Sequence, residues 1–161
     1  MRSSISSQSD EVDPRCLVSA RSIANNVVPW VPLTDGKSFK PLRFLSGNRG
    51  FVELLRLEPG AAIPTHRHTG EVHAFNMQGS RQLGSGEIVG PGDYVYEPAG
   101  NVDSWKVVGD VPLVVLVVVS GAVEYLGPDD RVTSIYTADV LMEMYRRYCE
   151  ANEIEVLELT D

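Results

Sequence analysis

The chain is 161 residues long and 43% hydrophobic, with 22 acidic against 14 basic side chains and a formal net charge of −8. That length and apolar share suit one globular domain with a real core. The negative charge argues against nucleic acid or an anionic membrane surface as a partner, because long-range repulsion would oppose the encounter. The cysteines, Cys16 and Cys149, form no C-x-x-C pair, so neither a zinc cage nor a disulfide framework is indicated and a reducing, cytoplasmic setting is expected.

The opening MRSSISSQSDEVDP lacks the apolar stretch of a signal peptide, and residues 1–27 read as a polar, flexible segment. Residues 28–136 are expected to form a β-barrel domain: between 40 and 136 Gly, Pro or Asn-Gly-like punctuation cuts the chain every six to ten residues, with Val, Phe, Tyr and Leu between, which is the signature of a β-domain. Strands are expected at 42–46, 51–58, 63–68, 72–78, 87–89, 94–97, 103–108, 113–119 and 122–126. Many short antiparallel strands imply a sandwich or barrel. The apolar run at 113–119 reads as a strand buried on both faces, and at 111–119 the full run is too short to cross a bilayer as a helix.

From Thr137 the apolar period changes. Val140, Leu141, Met144, Tyr145 and Tyr148 fall on one side of a helix that begins with Asp139 in its first turn and carries Arg146 and Arg147 near its end. Residues 137–161 are therefore expected to form a C-terminal helix and tail whose apolar stripe packs on the barrel or on a second subunit.

All the histidines lie in THRHTGEVH, residues 65–73. His66 and His68 are spaced i and i+2, so on a strand both imidazoles enter the same space and can grip a metal. Glu71 and His73 share parity in the next strand with Phe75 and Met77, and are candidates for a ligand or an acid/base group beside that metal. The competing reading makes Glu71 a rim residue and His73 a hydrogen-bonded core histidine. Glu97 precedes Pro98 in YEPAG, where it can orient a ligand histidine or a substrate hydroxyl, or be a solvated edge carboxylate. Trp105 and Tyr96 are candidate pocket walls, with core packing as the alternative.

Gly60, five residues, His66-x-His68 and then Gly79 resemble the first motif of the cupins. Gly92, five residues, Pro98-x-Gly100, two residues and Asp103 resemble the second. PWVPL (29–33), PLRF (41–44), HRHTGEVHAF (66–75) and YVYEPAG (94–100) further resemble the 2,4'-dihydroxyacetophenone dioxygenases and their relatives. The resemblance implies an all-β, single-domain jelly-roll barrel holding iron(II) on three histidines, splitting a carbon–carbon bond of a hydroxyketone with O2, and pairing as a homodimer. The first two ligands carry over to His66 and His68. Asp103 stands where the third histidine is expected, Glu71 lies one position before the family's acid, and between the motifs only Glu87 is offered for a further glutamate.

Two imidazoles and one carboxylate with open positions suit iron(II), and also zinc, with manganese or nickel as alternatives. The expected ligand set is thus His66, His68 and Asp103, with Glu71, His73 and Glu97 as candidate catalytic groups. The expected activity is that of a metal-dependent dioxygenase of secondary metabolism, acting on a small hydroxylated aromatic or polyketide-like ketone. A non-oxidative lyase, isomerase or cyclase, or a non-catalytic ligand-binding cupin, are the alternatives.

Overall fold

A computed structural model describes Arg15 and residues 21–161, so most of the expected flexible segment, with Cys16, lies outside the described residues. The strands, in chain order, are β1 (Val31–Pro32), β2 (Lys37–Leu45), β3 (Gly50–Leu57), β4 (Ala62–His68), β5 (Val72–Gln78), β6 (Ser80–Gln82) and β7 (Ile88–Val89). They continue as β8 (Tyr94–Glu97), β9 (Val102–Val108), β10 (Leu113–Ser120), β11 (Val123–Leu126) and β12 (Val132–Tyr136), followed by helix α1 (Ala138–Ala151). No described helix is long and apolar enough to cross a membrane.

The strands form two six-stranded antiparallel sheets, ordered β1-β2-β3-β10-β5-β8 and β12-β11-β4-β9-β6-β7, which face each other as a jelly-roll barrel. Alternation decides what lies between them. In β3, Phe51 and Leu57 are buried and share parity with Glu53 and Leu55. In β5 the buried positions are Val72, Ala74 and Asn76. Ile63, Trp105 and Val107 of the second sheet pack with Leu57 and Ala74 of the first, so apolar side chains of both sheets meet in the interior, the main source of stability in a sandwich of this kind.

β10 departs from its expected burial on both faces. It pairs with β3 on one side and β5 on the other, and Leu113, Val115 and Val119 are buried, whereas Val114, Leu116 and Val118 are only half-buried on the outer face. There the register lines up Val52, Val118, His73 and Tyr96 in one cross-strand row, and Leu54, Leu116, Phe75 and Tyr94 in the next.

Helix α1 starts at Thr137, whose hydroxyl accepts from the Val140 amide (3.3 Å) as an N-cap. It packs on β1 and β2 through Ala138, Leu141, Tyr145 and Cys149. The buried stripe is therefore rotated from the expected one: Val140 is exposed, while Ala138 and Cys149 face inward. The tail returns to the barrel, where Leu157 donates its amide to the Tyr145 hydroxyl (2.9 Å) and Thr160 bridges Phe44 in parallel.

Candidate metal centre

β4 carries both histidines inward, just after a bulge. Ile63 and His66 are each paired with β9, opposite Trp105 and Asp103, and the register slips between them at Pro64 and Thr65. Proline has no amide to give a ladder, so a bulge is where a strand can hold one. The Pro64 carbonyl lies 2.9 Å from His66 Nδ1, which donates to it; Nε2 is then the ring nitrogen with a free lone pair.

His66 and His68 are 3% and 5% exposed, and their rings meet edge to face at a centroid distance of 4.9 Å. Burial, and secondarily the charge of His66, pushes the His68 imidazole down to about 4, so it is neutral at pH 7, the form that binds a metal. Nδ1 of His68 is buried with no hydrogen-bond partner among the described residues.

The third member comes from the opposite sheet. After β8 the chain turns at Pro98–Asn101, closed by the Asn101 amide on the Pro98 carbonyl (3.1 Å), with Gly100 at φ +83°, a conformation that favours glycine. This turn is stitched to the end of β4: Gly100 donates to the His68 carbonyl (2.7 Å) and His68 donates to the Asn101 carbonyl (3.1 Å). Glu97 is thereby brought to His68, with Oε2 3.6 Å from Nε2, while Asn101 Nδ2 holds Oε1 at 2.8 Å. Glu97 is 9% exposed. Ligand atoms of His66, His68 and Glu97 all lie within 4.8 Å of one another.

Asp103 lies directly across from His66 in the β4–β9 pair, as its place in the second motif suggests, but its carboxylate is engaged elsewhere. Oδ1 accepts from the amides of Gly84 (2.9 Å) and Ser104 (2.8 Å), tying down the β6–β7 turn. A Cβ at Gly84 would come within 2.6 Å of that oxygen, so a larger residue there would push the carboxylate aside. The carboxylate that the structure gathers with the two histidines is Glu97 rather than Asp103.

Glu71 and His73 belong to the outer face. His73 Nδ1 is bonded to the Tyr94 hydroxyl, Nε2 lies 3.4 Å from Glu71 Oε1, and Tyr96 donates to Glu71 Oε2 (3.4 Å). The parity that puts Val72 and Ala74 inside puts His73, Phe75 and Met77 outside, so the expected inward set of β5 is reversed. Glu87 lies in the β6–β7 connection, and Tyr96 is exposed.

The three ligand candidates line a cavity of about 320 Å³ walled by Leu55, Ile63, Val72, Val117 and Val119, with Trp105 also facing it. Two charged residues that sequence reasoning passed over line it too. Glu53 projects from β3, and burial raises its carboxyl to about 8, so it holds its proton at neutral pH. Arg81 on β6 is 3% exposed, donates from Nε to Asn76 Oδ1 (3.2 Å), and lies over the Trp105 ring with Cζ 4.7 Å from its centroid. Tyr125, whose ring is 5.9 Å from that of His66, is raised to about 12 by burial, Tyr136 and Glu53, and keeps its phenolic proton.

Two imidazoles and a carboxylate that converge on a cavity are a donor set for iron(II) or zinc, and the partnerless Nδ1 of His68 fits a site built to receive an ion. The residues present therefore fit a divalent metal.

Residues 19–124 match the family model of the ChrR cupin-like domain, and the chain belongs to that family. No curated protein matches the chain. Among solved structures, an RmlC-like cupin protein from Ralstonia eutropha is similar at 22% identity and TM-score 0.83, covering 92% of this chain and 99% of its own. An acetylacetone dioxygenase from Acinetobacter johnsonii is similar at 13% identity and TM-score 0.69, covering 81% and 92%. The Rhodobacter sphaeroides SigE complex with the anti-sigma ChrR gives 21% identity and TM-score 0.53, covering 60% and 52%. At these identities the likeness is one of fold, the cupin barrel.

Proposed function

We propose that this ChrR cupin-like chain is a metal-dependent enzyme in which His66, His68 and Glu97 hold a divalent ion, iron(II) before zinc, manganese or nickel. The reaction we infer is dioxygenase-like cleavage of a carbon–carbon bond in a small hydroxylated aromatic or polyketide-like ketone. The observation that carries this reading is the convergence of two buried imidazoles and one buried carboxylate within 4.8 Å on the wall of a cavity. The likeness to an acetylacetone dioxygenase supports the class of chemistry. The ion would act as a Lewis acid on substrate oxygens, lowering their pKa and stabilising an enolate.

The chain's own residues prepare that chemistry. The Pro64 carbonyl fixes the His66 tautomer with Nε2 free, and Asn101 orients the Glu97 carboxylate. Glu53 and Tyr125 keep protons inside the cavity at neutral pH, so each can donate a hydrogen bond to a substrate oxygen. The apolar walls exclude water from the enolised substrate.

A second reading, a non-oxidative lyase or isomerase, rests on Glu53: a carboxyl poised near neutrality suits proton transfer without oxygen. We further propose that the chain works as a soluble cytoplasmic homodimer, paired through the outer rows of β3, β10, β5 and β8. Metal analysis of the purified protein, with an oxygen electrode and a panel of hydroxyketones, tests the function. Metal with O2 uptake supports the dioxygenase, metal-dependent turnover without O2 the second reading, and absence of metal removes both.

A further inference from the structure

Buried polar groups in folded proteins almost always have partners, and leaving a charged donor without one costs stability. Arg81 breaks this rule at the cavity wall: its Nη2 is buried and makes no hydrogen bond among the described residues. The rest of the side chain is braced. Nε is held by Asn76, which is fully buried and donates to the carbonyls of Gly79 and Val89 (both 3.3 Å), and Trp105 lies beneath the guanidinium. Such bracing fixes the fork in place before any ligand arrives.

The nearby acids do not complete it. Asp103 is committed to the Gly84 and Ser104 amides, and Glu97 to Asn101 and His68. Their charges act on Arg81 through space, but neither closes the open nitrogen. A cationic fork with an open donor, beside walls formed by Leu55, Ile63 and Val117, matches a molecule with an anionic end and an apolar body. The volume of about 320 Å³ is near the lower end of the roughly 300–1,000 Å³ usual for small-molecule pockets, so that molecule is small.

We propose that Arg81 is the anchor for the anionic head of the ligand, and that the cavity takes a small organic acid whose carboxylate pairs with Nη2 while its apolar body lies along β3, β4 and β10. This narrows the substrate class of the metal-site reading, from hydroxyketones in general to those bearing a carboxylate, and rests on the cavity being the substrate site. A carboxylate is the group whose geometry Arg matches best, and the pair forms in a site already largely dry.

The test is equilibrium binding by calorimetry to the purified chain, using two matched pairs: benzoate against acetophenone, and acetoacetate against acetylacetone. Within each pair a methyl group replaces one carboxylate oxygen. Each acid should bind about tenfold or more tighter than its ketone, as expected for a charged hydrogen bond in a buried site. Arg81→Met should abolish that preference by weakening the acids, and Arg81→Lys should restore part of it. Equal binding within the wild-type pairs, a preference that survives in Arg81→Met, or no binding of either acid would overturn the proposal. Should Arg81→Met fail to fold, the wild-type pairs and Arg81→Lys decide. Metal content is measured on the same samples: Arg81-dependent acid binding in a protein without metal upholds this inference and sinks the metal reading, whereas metal uptake with no acid preference does the reverse.

Discussion

At Asp103 a carboxylate sits opposite His66 and yet serves the backbone, and its two amide bonds decide what substitution does there. Asp103→Ala removes the acceptor for two amides and should cost about 1–3 kcal/mol, read as a lower denaturation midpoint, while metal content stays unchanged. His66→Ala and His68→Ala should lose the metal and still fold, because each residue faces a cavity instead of filling a core. Metal content and thermal melting on the same samples check this. Glu53 gives a pH signature. Its carboxyl is raised from 4.5 to about 8 by burial, so the folded state holds a proton that the unfolded state has released. Stability should therefore fall as pH rises from about 4.5 to about 8, the window between the unfolded and folded values. Glu53→Gln, which stays neutral, should flatten that slope and raise the melting temperature at pH 8 relative to wild type; an identical slope in both proteins would assign the effect to another group.

Elements explain why the site was only partly legible in the sequence. The i, i+2 spacing of His66 and His68 needed nothing more than a strand, and the glycine-framed motifs around them specified the barrel. Choosing between Asp103 and Glu97 needed more. Asp103 lies across from His66 and Glu97 beside His68, and what separates them is the turn at Pro98–Asn101, which pins Glu97 to the end of β4, and the loop amide of Gly84, which draws Asp103 away. Neither tertiary bond leaves a local pattern. The parity of Glu71, His73, Phe75 and Met77 on β5 is real, but the functional reading points that set inward, whereas the interior takes the alternate set with Val72 and Ala74. Glu53 did carry a signal: a lone acid at the parity of Phe51, Leu55 and Leu57, on an otherwise apolar face of its strand. Arg81, between two glycines in a three-residue strand, carried none. In α1, Thr137 caps the first turn through its hydroxyl, and Thr137→Ala should cost about 1 kcal/mol by thermal melting.

The whole molecule pairs a closed interior with an outer face that is unusually apolar for one turned away from the core. Phe75, Met77, Tyr94 and Tyr96 are exposed on β5 and β8, and β8 is an edge strand of its sheet among the described residues. Free edges and apolar outer rows favour self-association. We expect light scattering at micromolar concentration to give a dimer, and Phe75→Glu with Tyr94→Glu to give a monomer that keeps its metal; a wild-type monomer would contradict the pairing. The central claim concerns the interior and is tested most directly by metal stoichiometry in three proteins side by side: wild type, Glu97→Gln and Asp103→Asn. A metal at His66, His68 and Glu97 predicts a full complement in wild type and in Asp103→Asn, with loss in Glu97→Gln. Loss in Asp103→Asn with retention in Glu97→Gln, or no metal in any of them, would contradict it.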